Sequence, residues 1–258
     1  MSINIVDVTK LREIAEKAGE TILPIYRAAN FSVALKNDRS PLTEADMVSH
    51  HFIYDALSQC YPDIPIISEE SHEQFHYRER KKFQYFFLVD PLDGTKEFIK
   101  KNGEFTVNIA LIHDHRPIAG VIHAPVLGIS YYAEEKKGAF KYENHQHFLL
   151  KKLLPNESTK IHALVSRSHR DEKTEMFLQK LRDTGKEVKT ISAGSALKFG
   201  LIAEGKAHIY PRFSPSMEWD TAAGHLLINE VGKTLLTDAK LPLLYNKQSL
   251  LNPGFVVG

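Results

Sequence analysis

Residues 83–98 read FQYFFLVDPLDGTKEF, an aromatic and apolar run that leads directly into two aspartates. The run up to Asp90 predicts a buried β-strand. Pro91 favours an extended backbone at Asp90 and predicts that the strand does not simply continue. Gly94 permits a tight turn, and Thr95 predicts a helix start whose free backbone amides suit a phosphate. A buried strand that leads into an acidic turn and a helix start predicts an anion-binding site.

The two aspartates of this segment, Asp90 and Asp93, would repel each other and an anionic substrate. A divalent cation between them removes this conflict, and ligands that are all oxygen favour Mg²⁺ over Zn²⁺. The alternative is an ordinary Asp-Gly turn after a strand. We favour the metal site because Asp-Pro-x-Asp-Gly-Thr behind a buried strand is much rarer than Asp-Gly alone.

The composition is that of an ordinary globular protein. Of 258 residues, 43% are apolar and 25% are charged, and the formal net charge is +1. A general nucleic-acid binder has a strongly basic surface, so we expect no nucleic-acid polymer as a partner. The single cysteine, Cys60, cannot form an intramolecular disulfide, which fits a reducing cytoplasm.

The sequence contains no recognisable export or membrane signal. Its first residues lack the basic-then-apolar pattern of a signal peptide, and no apolar run approaches the ~20 residues that span a bilayer. We therefore expect a cytoplasmic protein without a transmembrane segment. Loose association with the cytoplasmic face of the inner membrane and the oligomeric state stay open.

The first part of the chain reads as two helices followed by strands. Residues 8–28 have helical spacing, which Pro24 would kink, and Thr43 is a candidate N-cap for the second helix. Residues 65–68 read as a short strand. Three or four further strands within residues 106–143, separated by short turns, predict an antiparallel meander with one covered face.

The second part alternates strands with helices, which predicts a parallel or mixed sheet between helices. The polar stretch at 145–160 predicts a boundary between the two parts. We therefore expect residues 1–154 to form an N-terminal half with an antiparallel sheet and residues 155–258 to form a C-terminal α/β half. The predicted fold class is α+β, or layered α/β.

The acidic segment resembles a signature of the inositol monophosphatase superfamily of magnesium-dependent, lithium-sensitive phosphatases. Three companion motifs stand in the order that this family shows: LKNDRSPLTEAD at 35–46, SEE at 68–70 and EWDTAAGH at 218–225. The resemblance runs from about residue 36 to residue 232. An ordered set is far more specific than any one motif, and it implies the αβαβα sandwich of that superfamily.

The resemblance implies a set of metal ligands, most of them in the N-terminal half. Glu69, Asp90 and the carbonyl of Leu92 would hold one Mg²⁺ ion. Asp90, Asp93 and Asp220 would hold a second, with two or three ions in each site. Four of these residues would also contact the substrate: Glu69, Leu92, Asp93 and Asp220.

The resemblance also implies the residues that act on the substrate and on water. Asp46 and Thr95 would orient and deprotonate the attacking water. A metal-bound water has a lowered pKa, so this base need only be modest. The backbone amides of Gly94 and Thr95 would bind the phosphoryl oxygens.

Each acidic residue also has a purely structural interpretation. Asp46 could be a first-turn helix charge worth about 0.3–1 kcal/mol, and Asp220 could be a helix N-cap. Glu69 and Glu70 could be a solvated pair at a strand end. For these residues the ordered motifs favour the functional role. Asp38 stays open, because an Asx-turn explains it equally well.

Several segments resemble the 3′(2′),5′-bisphosphate nucleotidase branch of this superfamily. Lys96-Glu97-Phe98 follows the signature where inositol phosphatases usually carry Asn before the Phe. The others are SRSH at 166–169, SAGSALKFG at 192–200 and YPRFSPSMEWD at 210–220. The branch hydrolyses 3′-phosphoadenosine 5′-phosphate, a by-product of sulfate assimilation, to AMP and phosphate. The 2′ isomer and 3′-phosphoadenylyl sulfate are further candidate substrates.

A nucleotide with two phosphates needs donors beyond those of the reacting phosphate. Side chains of the right type are Ser168, His169, Lys198 and Arg212. Lys198 could equally be a surface residue of a helix, and His169 a residue between a loop and a helix. Where the branch usually shows Arg-x-Gly-Pro, residues 212–215 read RFSP, so the wall around the adenosine or the 5′-phosphate could differ.

Two alternatives to the nucleotidase stay open. One is a phosphatase for inositol phosphates or sugar phosphates, which turnover on the two kinds of substrate would distinguish. The other is a nucleotide sensor that keeps the metal site without turnover. The presence of both Asp46 and Thr95 argues against a sensor, because a pure binder has no use for a water-activating pair.

Overall fold

A computed structural model describes residues 5–29, 33–35, 41–154, 159–167 and 171–258. Asp38, Ser168 and His169 therefore lie outside the described residues. The helices are α1 (Val8–Arg27), α2 (Glu44–Cys60), α3 (Tyr77–Arg80), α4 (Thr95–Ile99), α5 (Glu172–Asp183), α6 (Leu197–Ala203) and α7 (Glu218–Glu230), with a 3₁₀ helix at Glu69–Gln74. No helix within these ranges is long and apolar enough to cross a membrane.

Fourteen strands are present in the described ranges. They are β1 (Val33–Leu35), β2 (Pro41–Thr43), β3 (Ile66–Ser68), β4 (Tyr85–Asp93), β5 (Thr106–His113), β6 (Arg116–Ala124), β7 (Ile129–Glu134), β8 (Gly138–Glu143), β9 (Gln146–Leu150), β10 (Lys160–Ser166), β11 (Glu187–Ala193), β12 (Tyr210–Arg212), β13 (Leu235–Thr237) and β14 (Phe255–Val257).

Seven strands form the central sheet in the order β3-β4-β5-β6-β7-β8-β9. β3 and β4 are parallel, and the pairs from β4 to β9 are antiparallel, which confirms the predicted meander. The meander is one strand longer than predicted, because β9 lies within the polar stretch that we interpreted as a boundary. Four of the five residues of β9 are exposed, so this edge strand lacks the alternation that identifies a half-buried strand.

Helices cover both faces of the central sheet, so the prediction of a single covered face is wrong. Along β5, Ile109 and Leu111 join a core cluster with α1 and α2, whereas Ala110 and Ile112 join a second cluster with α6 and α7. The strand is buried on both sides and reads as a continuous apolar run. At Gly120 of β6, a Cβ would lie 2.9 Å from a Cα atom of α7, so the helix approaches the sheet closely.

The second part of the chain forms two small sheets. β10 and β11 pair in parallel, whereas β12, β14 and β13 form an antiparallel sheet in that order. The prediction was one parallel or mixed sheet, and the structure instead has a parallel pair and a separate antiparallel sheet, with a parallel bridge from Ala163 to Ile209. One core cluster contains side chains from both parts, such as Phe86 and Leu226. The division of the chain at residue 154 stays a prediction.

Candidate active site

The acidic segment lies at the carboxyl end of β4, where the strand contains a bulge. Asp90 pairs with Asn108 and Asp93 pairs with Thr106, so three steps along β4 match two steps along β5. The strand therefore continues through Pro91, contrary to the sequence expectation. The strand tolerates Pro91, which has no backbone N–H to donate, because this residue lies within the bulge.

This bulge brings the two aspartates to one side of the sheet. Side chains three residues apart in a regular strand point to opposite faces. Because the bulge adds one residue to β4, Asp90 and Asp93 point to the same side, as residues two apart do in a regular strand. Both therefore line the same cavity. The amide of Leu92 donates a hydrogen bond to Oδ1 of Asp90 at 3.1 Å, which stabilises the bulged backbone.

A left-handed glycine connects the bulge to α4. Gly94 has φ +94°, a conformation that residues with a Cβ rarely adopt. A Cβ at this position would also lie 3.3 Å from the Cβ of Ser195, which lines the same cavity. Glycine is therefore favoured at position 94 both by the left-handed backbone and by the nearby side chain of Ser195. Thr95 begins α4 as predicted.

Asp46 links the first turn of α2 to this segment. Its Oδ1 accepts a hydrogen bond from Oγ1 of Thr95 at 3.3 Å. Its Oδ2 accepts from the amide and from Oγ1 of Thr43, at 2.7 and 2.6 Å. Asp46 therefore closes the first turn of the helix, for which Thr43 is the predicted N-cap, and also contacts the predicted catalytic threonine.

The site is a cavity of about 360 Å³ that collects side chains from distant parts of the chain. Its walls include all the predicted metal ligands, the turn after them and the two predicted basic residues: Glu69, Asp90, Leu92, Asp93, Gly94, Thr95, Lys198, Arg212 and Asp220. Asp46 reaches it through Thr95. The structure does not place Ser168 or His169.

The cavity also contains residues that no sequence argument assigned a role. Glu97 and Ser195 line it, as do Trp219 and Leu251. Glu97 and Ser195 stand inside segments that resemble the nucleotidase branch. Their position near assigned residues in the sequence could therefore have predicted that they line the site. Leu251 has no such signal, because only the folding of the C-terminal segment brings it to the site.

The carboxylates in the cavity repel one another electrostatically. Burial raises the pKa of Asp93, and Lys198 and Arg212 counteract this in part. Burial and the charge of Asp93 raise the pKa of Asp220 to about 7, with Arg212 acting in the opposite direction and Glu69 adding to the increase. The protein thus gathers more negative charge here than its own cations neutralise.

Asp220 lies in the first turn of α7 rather than at its N-cap, which is Met217. Its Oδ2 accepts a hydrogen bond from the amide of Met217 at 3.0 Å, so it stabilises the helix start from the third position. Asp220 also has a cationic neighbour in the cavity, because Nη2 of Arg212 lies 4.0 Å from Oδ2 of Asp220.

The two basic residues line the same cavity: Lys198 is buried, whereas the side chain of Arg212 is partly buried and lies beside Asp220. Lys198 is 1% exposed, so the alternative of a surface position is wrong. Its Nζ donates to the carbonyl of Ser195 at 2.5 Å and to that of Ala193 at 3.3 Å. Arg212 donates from Nη2 to the carbonyl of Pro215 at 3.0 Å.

Arg212 keeps a donor without a partner. Its Nη1 donates to the hydroxyl of Tyr210 at 3.4 Å, whereas its Nε is buried and has no hydrogen-bond partner among the described residues. Burial lowers the pKa of Arg212, but the hydroxyl of Tyr210, which accepts its hydrogen bond, and the charges of Asp220 and Asp93 outweigh this and raise it above its ordinary value. The guanidinium is therefore a permanent cation in this cavity.

The donor set fits a hard divalent cation. Every predicted ligand offers oxygen. The pKa of Asp220 is raised first by burial and then by the charge of Asp93, and a bound cation would neutralise this charge. Within the described ranges, no three or more His, Cys, Asp or Glu side chains form a group that could hold a metal ion as they stand. Mg²⁺ is commonly held by one or two carboxylates, with water and substrate phosphate supplying the remaining oxygens, so the residues present are compatible with it.

This chain belongs to the inositol monophosphatase family, whose model matches residues 5–254. It is 44% identical over 247 residues to the 3′(2′),5′-bisphosphate nucleotidase CysQ of Escherichia coli K12, covering 95% of this chain and 96% of that protein. Among solved structures it resembles CysQ of Bacteroides thetaiotaomicron, with a TM-score of 0.86, 40% identity and coverage of 97% and 96%. This neighbour confirms the layered α/β fold.

The same fold recurs at greater distance. The chain matches inositol monophosphatase II of Staphylococcus aureus with a TM-score of 0.77 and 23% identity, over 96% of this chain and 86% of that one. At this identity the likeness establishes the fold alone.

Proposed function

We propose that this chain is a Mg²⁺-dependent 3′(2′),5′-bisphosphate nucleotidase that hydrolyses 3′-phosphoadenosine 5′-phosphate to AMP and phosphate, a step linked to sulfate assimilation. The observation that carries this proposal is one cavity lined both by carboxylates and by two cations, the buried Lys198 and the partly buried Arg212. The similarity to CysQ proteins over nearly the whole chain supports it.

A bisphosphate matches a cavity with both carboxylates and two cations better than a monophosphate does. The reacting phosphate would lie beside Asp90 and Asp93, together with two or three Mg²⁺ ions. The remote phosphate would accept hydrogen bonds from Lys198 and Arg212, and the buried Nε of Arg212 is a donor that the protein itself does not use. An inositol monophosphate has no second phosphate that could bind Lys198 and Arg212.

The chain's own residues prepare the attack. Asp46 accepts the Thr95 hydroxyl proton in a hydrogen bond, which leaves the Thr95 oxygen able to accept one from water. The attacking water passes a proton to the Thr95 oxygen as the Thr95 hydroxyl proton moves to Asp46. The water oxygen bonds to phosphorus, the bond from phosphorus to the 3′ oxygen breaks, and the leaving oxygen takes up a proton from solvent water, while Asp46 later returns its proton to solvent. When bound, Mg²⁺ lowers the pKa of coordinated water and neutralises charge on the leaving oxygen.

Phosphate release from a panel of substrates tests this function. The panel contains 3′-phosphoadenosine 5′-phosphate, AMP, inositol 1-phosphate and fructose 1,6-bisphosphate, each assayed with MgCl₂ and with EDTA. We expect the adenosine bisphosphate to be hydrolysed with the highest kcat/KM, and EDTA to abolish the activity. A higher kcat/KM for inositol 1-phosphate would instead establish the alternative phosphatase, and binding without turnover would establish the sensor.

The substrate also suggests where the protein works. A phosphorylated nucleotide formed during sulfate assimilation is a cytoplasmic metabolite, so we infer a cytoplasmic location. The loose membrane association that the sequence left open has no support in the described residues.

A further inference from the structure

One face of α2 contacts two backbone segments that carry predicted metal ligands. Ser49 and His50 follow Asp46 by three and four residues, so the three side chains share one face of the helix. Ser49 contacts Pro91 in the bulge of β4, and His50 contacts Ser68 at the end of β3. Neither Ser49 nor His50 lines the cavity.

Ser49 fixes a peptide group next to two ligands. Its side chain is fully buried, and Oγ donates a hydrogen bond to the carbonyl of Pro91 at 2.7 Å. The amide of Leu92, in the same peptide group, donates to Oδ1 of Asp90 at 3.1 Å. Both polar atoms of this peptide are therefore engaged, which sets its plane. This peptide leads directly into Leu92, whose carbonyl begins the next peptide, and its amide holds one oxygen of the Asp90 carboxylate.

His50 acts on the segment that carries Glu69. Its Nδ1 lies 2.9 Å from Oγ of Ser68, and both side chains are buried. Ser68 is the N-cap of the 3₁₀ helix that begins at Glu69. On the other side of the junction, Nδ1 of His72 contacts the carbonyl of Glu69 at 2.7 Å. The backbone is thus held on both sides of the carboxylate.

We propose that Ser49 and His50 are positioning residues of the metal site. Ser49 orients the Pro91–Leu92 peptide, and His50 orients the junction before Glu69, so one helix face aligns ligands from two strands. Partners of this kind, which touch the ligand-bearing groups rather than the metal, typically change metal affinity by about 10–100-fold when they are lost. The inference rests on the proposed function only in that a divalent cation binds in this cavity.

Four variants separate positioning from general packing. Ser49→Ala and His50→Leu each remove a hydrogen bond. His50→Asn is the conservative variant, because its side-chain amide can occupy the place of Nδ1. His51→Asn is the matched control, since His51 is exposed on the same helix and, among the described residues, touches the ring of His50 without a hydrogen bond to the segments that carry the ligands.

The direct measurement is a Mn²⁺ titration without substrate. Mn²⁺ accepts the same octahedral oxygen ligands as Mg²⁺. Quenching of Trp219 fluorescence reports its binding, because this single tryptophan lines the cavity next to Asp220. We expect Ser49→Ala and His50→Leu to weaken Mn²⁺ binding by about 10-fold or more. We expect His50→Asn and His51→Asn to bind within about twofold of the parent, a margin far below the loss expected when a partner of the ligands is removed.

Activity provides the second measurement. The MgCl₂ concentration for half-maximal activity should rise in Ser49→Ala and His50→Leu, while KM for the bisphosphate at saturating MgCl₂ stays unchanged. Thermal unfolding verifies that each variant is folded. If His50→Leu does not fold, His50→Gln replaces it, since its amide extends beyond the Nδ1 position.

Unchanged Mn²⁺ affinity in folded Ser49→Ala and His50→Leu would overturn the proposal. So would equal losses in His50→Asn and His50→Leu, because packing rather than the hydrogen bond would then be responsible. The two proposals fail separately. If inositol 1-phosphate is the best substrate of the parent and of every variant, the proposed function fails, and the Mn²⁺ affinities still decide whether Ser49 and His50 position the ligands.

Discussion

The carboxylate of Glu104 accepts two hydrogen bonds from the guanidinium of Arg167, at 2.7 and 2.8 Å. It also accepts one from the amide of Gly194 at 2.8 Å. Glu104 precedes β5, whereas its partners follow β10 and β11, so one carboxylate holds two strand ends of the second part against the first. Ser195, the next residue after Gly194, lines the active-site cavity.

This cluster predicts a pH-dependent contribution to stability. Burial opposes the ionisation of Glu104, but the hydrogen bonds from Arg167 and Gly194 outweigh it and hold the pKa of Glu104 below its ordinary value. A carboxyl whose pKa is lowered in the folded state stabilises it above the unfolded pKa, about 4.3 for Glu, and loses this effect as the pH falls. We expect Glu104→Gln to lower Tm at pH 7, and the difference from the parent to shrink below about pH 4. A constant difference across this range would exclude the ionised carboxylate as the cause.

Gly94 predicts a loss of both stability and turnover on substitution. Gly94→Ala forces a left-handed backbone on alanine, at about 1–2 kcal/mol, and places a Cβ 3.3 Å from Ser195. Gly128→Ala is the matched control, because Gly128 also has a positive φ but has no atom within 4 Å of the added Cβ. We expect both variants to have a lower free energy of unfolding and only Gly94→Ala to lose turnover. Equal activity of the two variants would show that the turn tolerates a side chain.

Asp93 is expected to be essential for turnover but not for folding. Asp93→Asn keeps the shape and removes one of the opposed carboxylates, so the metal-free protein should not lose stability. We predict a loss of roughly 100-fold or more in kcat, because a divalent site with one ligand charge missing is mispaired. MgCl₂ should raise Tm of the parent by more than that of the variant. Retention of more than a tenth of the activity at saturating Mg²⁺ would rule out Asp93 as a ligand.

Lithium inhibition is expected from the all-oxygen site. Li⁺ can occupy a Mg²⁺ position while supplying too little charge to stabilise the leaving oxygen. Ca²⁺ should inhibit as well, because it prefers looser and higher coordination. The measurement is activity against increasing LiCl, with NaCl at equal ionic strength as the control. An identical response to the two salts would contradict the prediction.

The sequence predicted the acidic side of the site but not the way in which the strand delivers it. Asp-Pro-x-Asp-Gly-Thr specifies residue types and a turn, and the structure brings Asp90 and Asp93 into one cavity as expected. The bulge that makes this possible was missed, because Pro91 alone does not distinguish the end of a strand from a bulge within it. Local patterns thus predict which residues gather at a site more reliably than they predict the backbone path that brings them there.

Contacts between distant segments could not be predicted. Glu104 and Arg167 are 63 residues apart, and although Arg167 stands in the SRSH segment, nothing in the sequence around Glu104 indicates that the two side chains meet. The burial of Lys198 was also missed, since a lysine in a short helix is usually exposed and only tertiary packing encloses this one. β9 was missed for the opposite reason, because an edge strand with exposed side chains has the composition of a loop.

Substrate choice depends on the wall that contains Lys198 and Arg212. The reacting phosphate meets the same groups in every substrate, so discrimination must come from the remote phosphate and the adenine. Charge-assisted contacts of about 1.5–3 kcal/mol each make two of them worth on the order of 100-fold or more. We expect Arg212→Ala to raise KM for 3′-phosphoadenosine 5′-phosphate while hardly changing the hydrolysis of inositol 1-phosphate.

Lys198→Ala should show the same selectivity together with a lower Tm, because its Nζ also binds the carbonyls of Ala193 and Ser195. AMP should be a product rather than a substrate, since it lacks the 3′-phosphate. The measurement is kcat and KM for both variants on both substrates, with Tm recorded for each protein. If Arg212→Ala loses activity equally on every substrate, this wall serves the reacting phosphate instead. The nucleotidase assignment then fails, and only the assignment as a metal-dependent phosphatase survives.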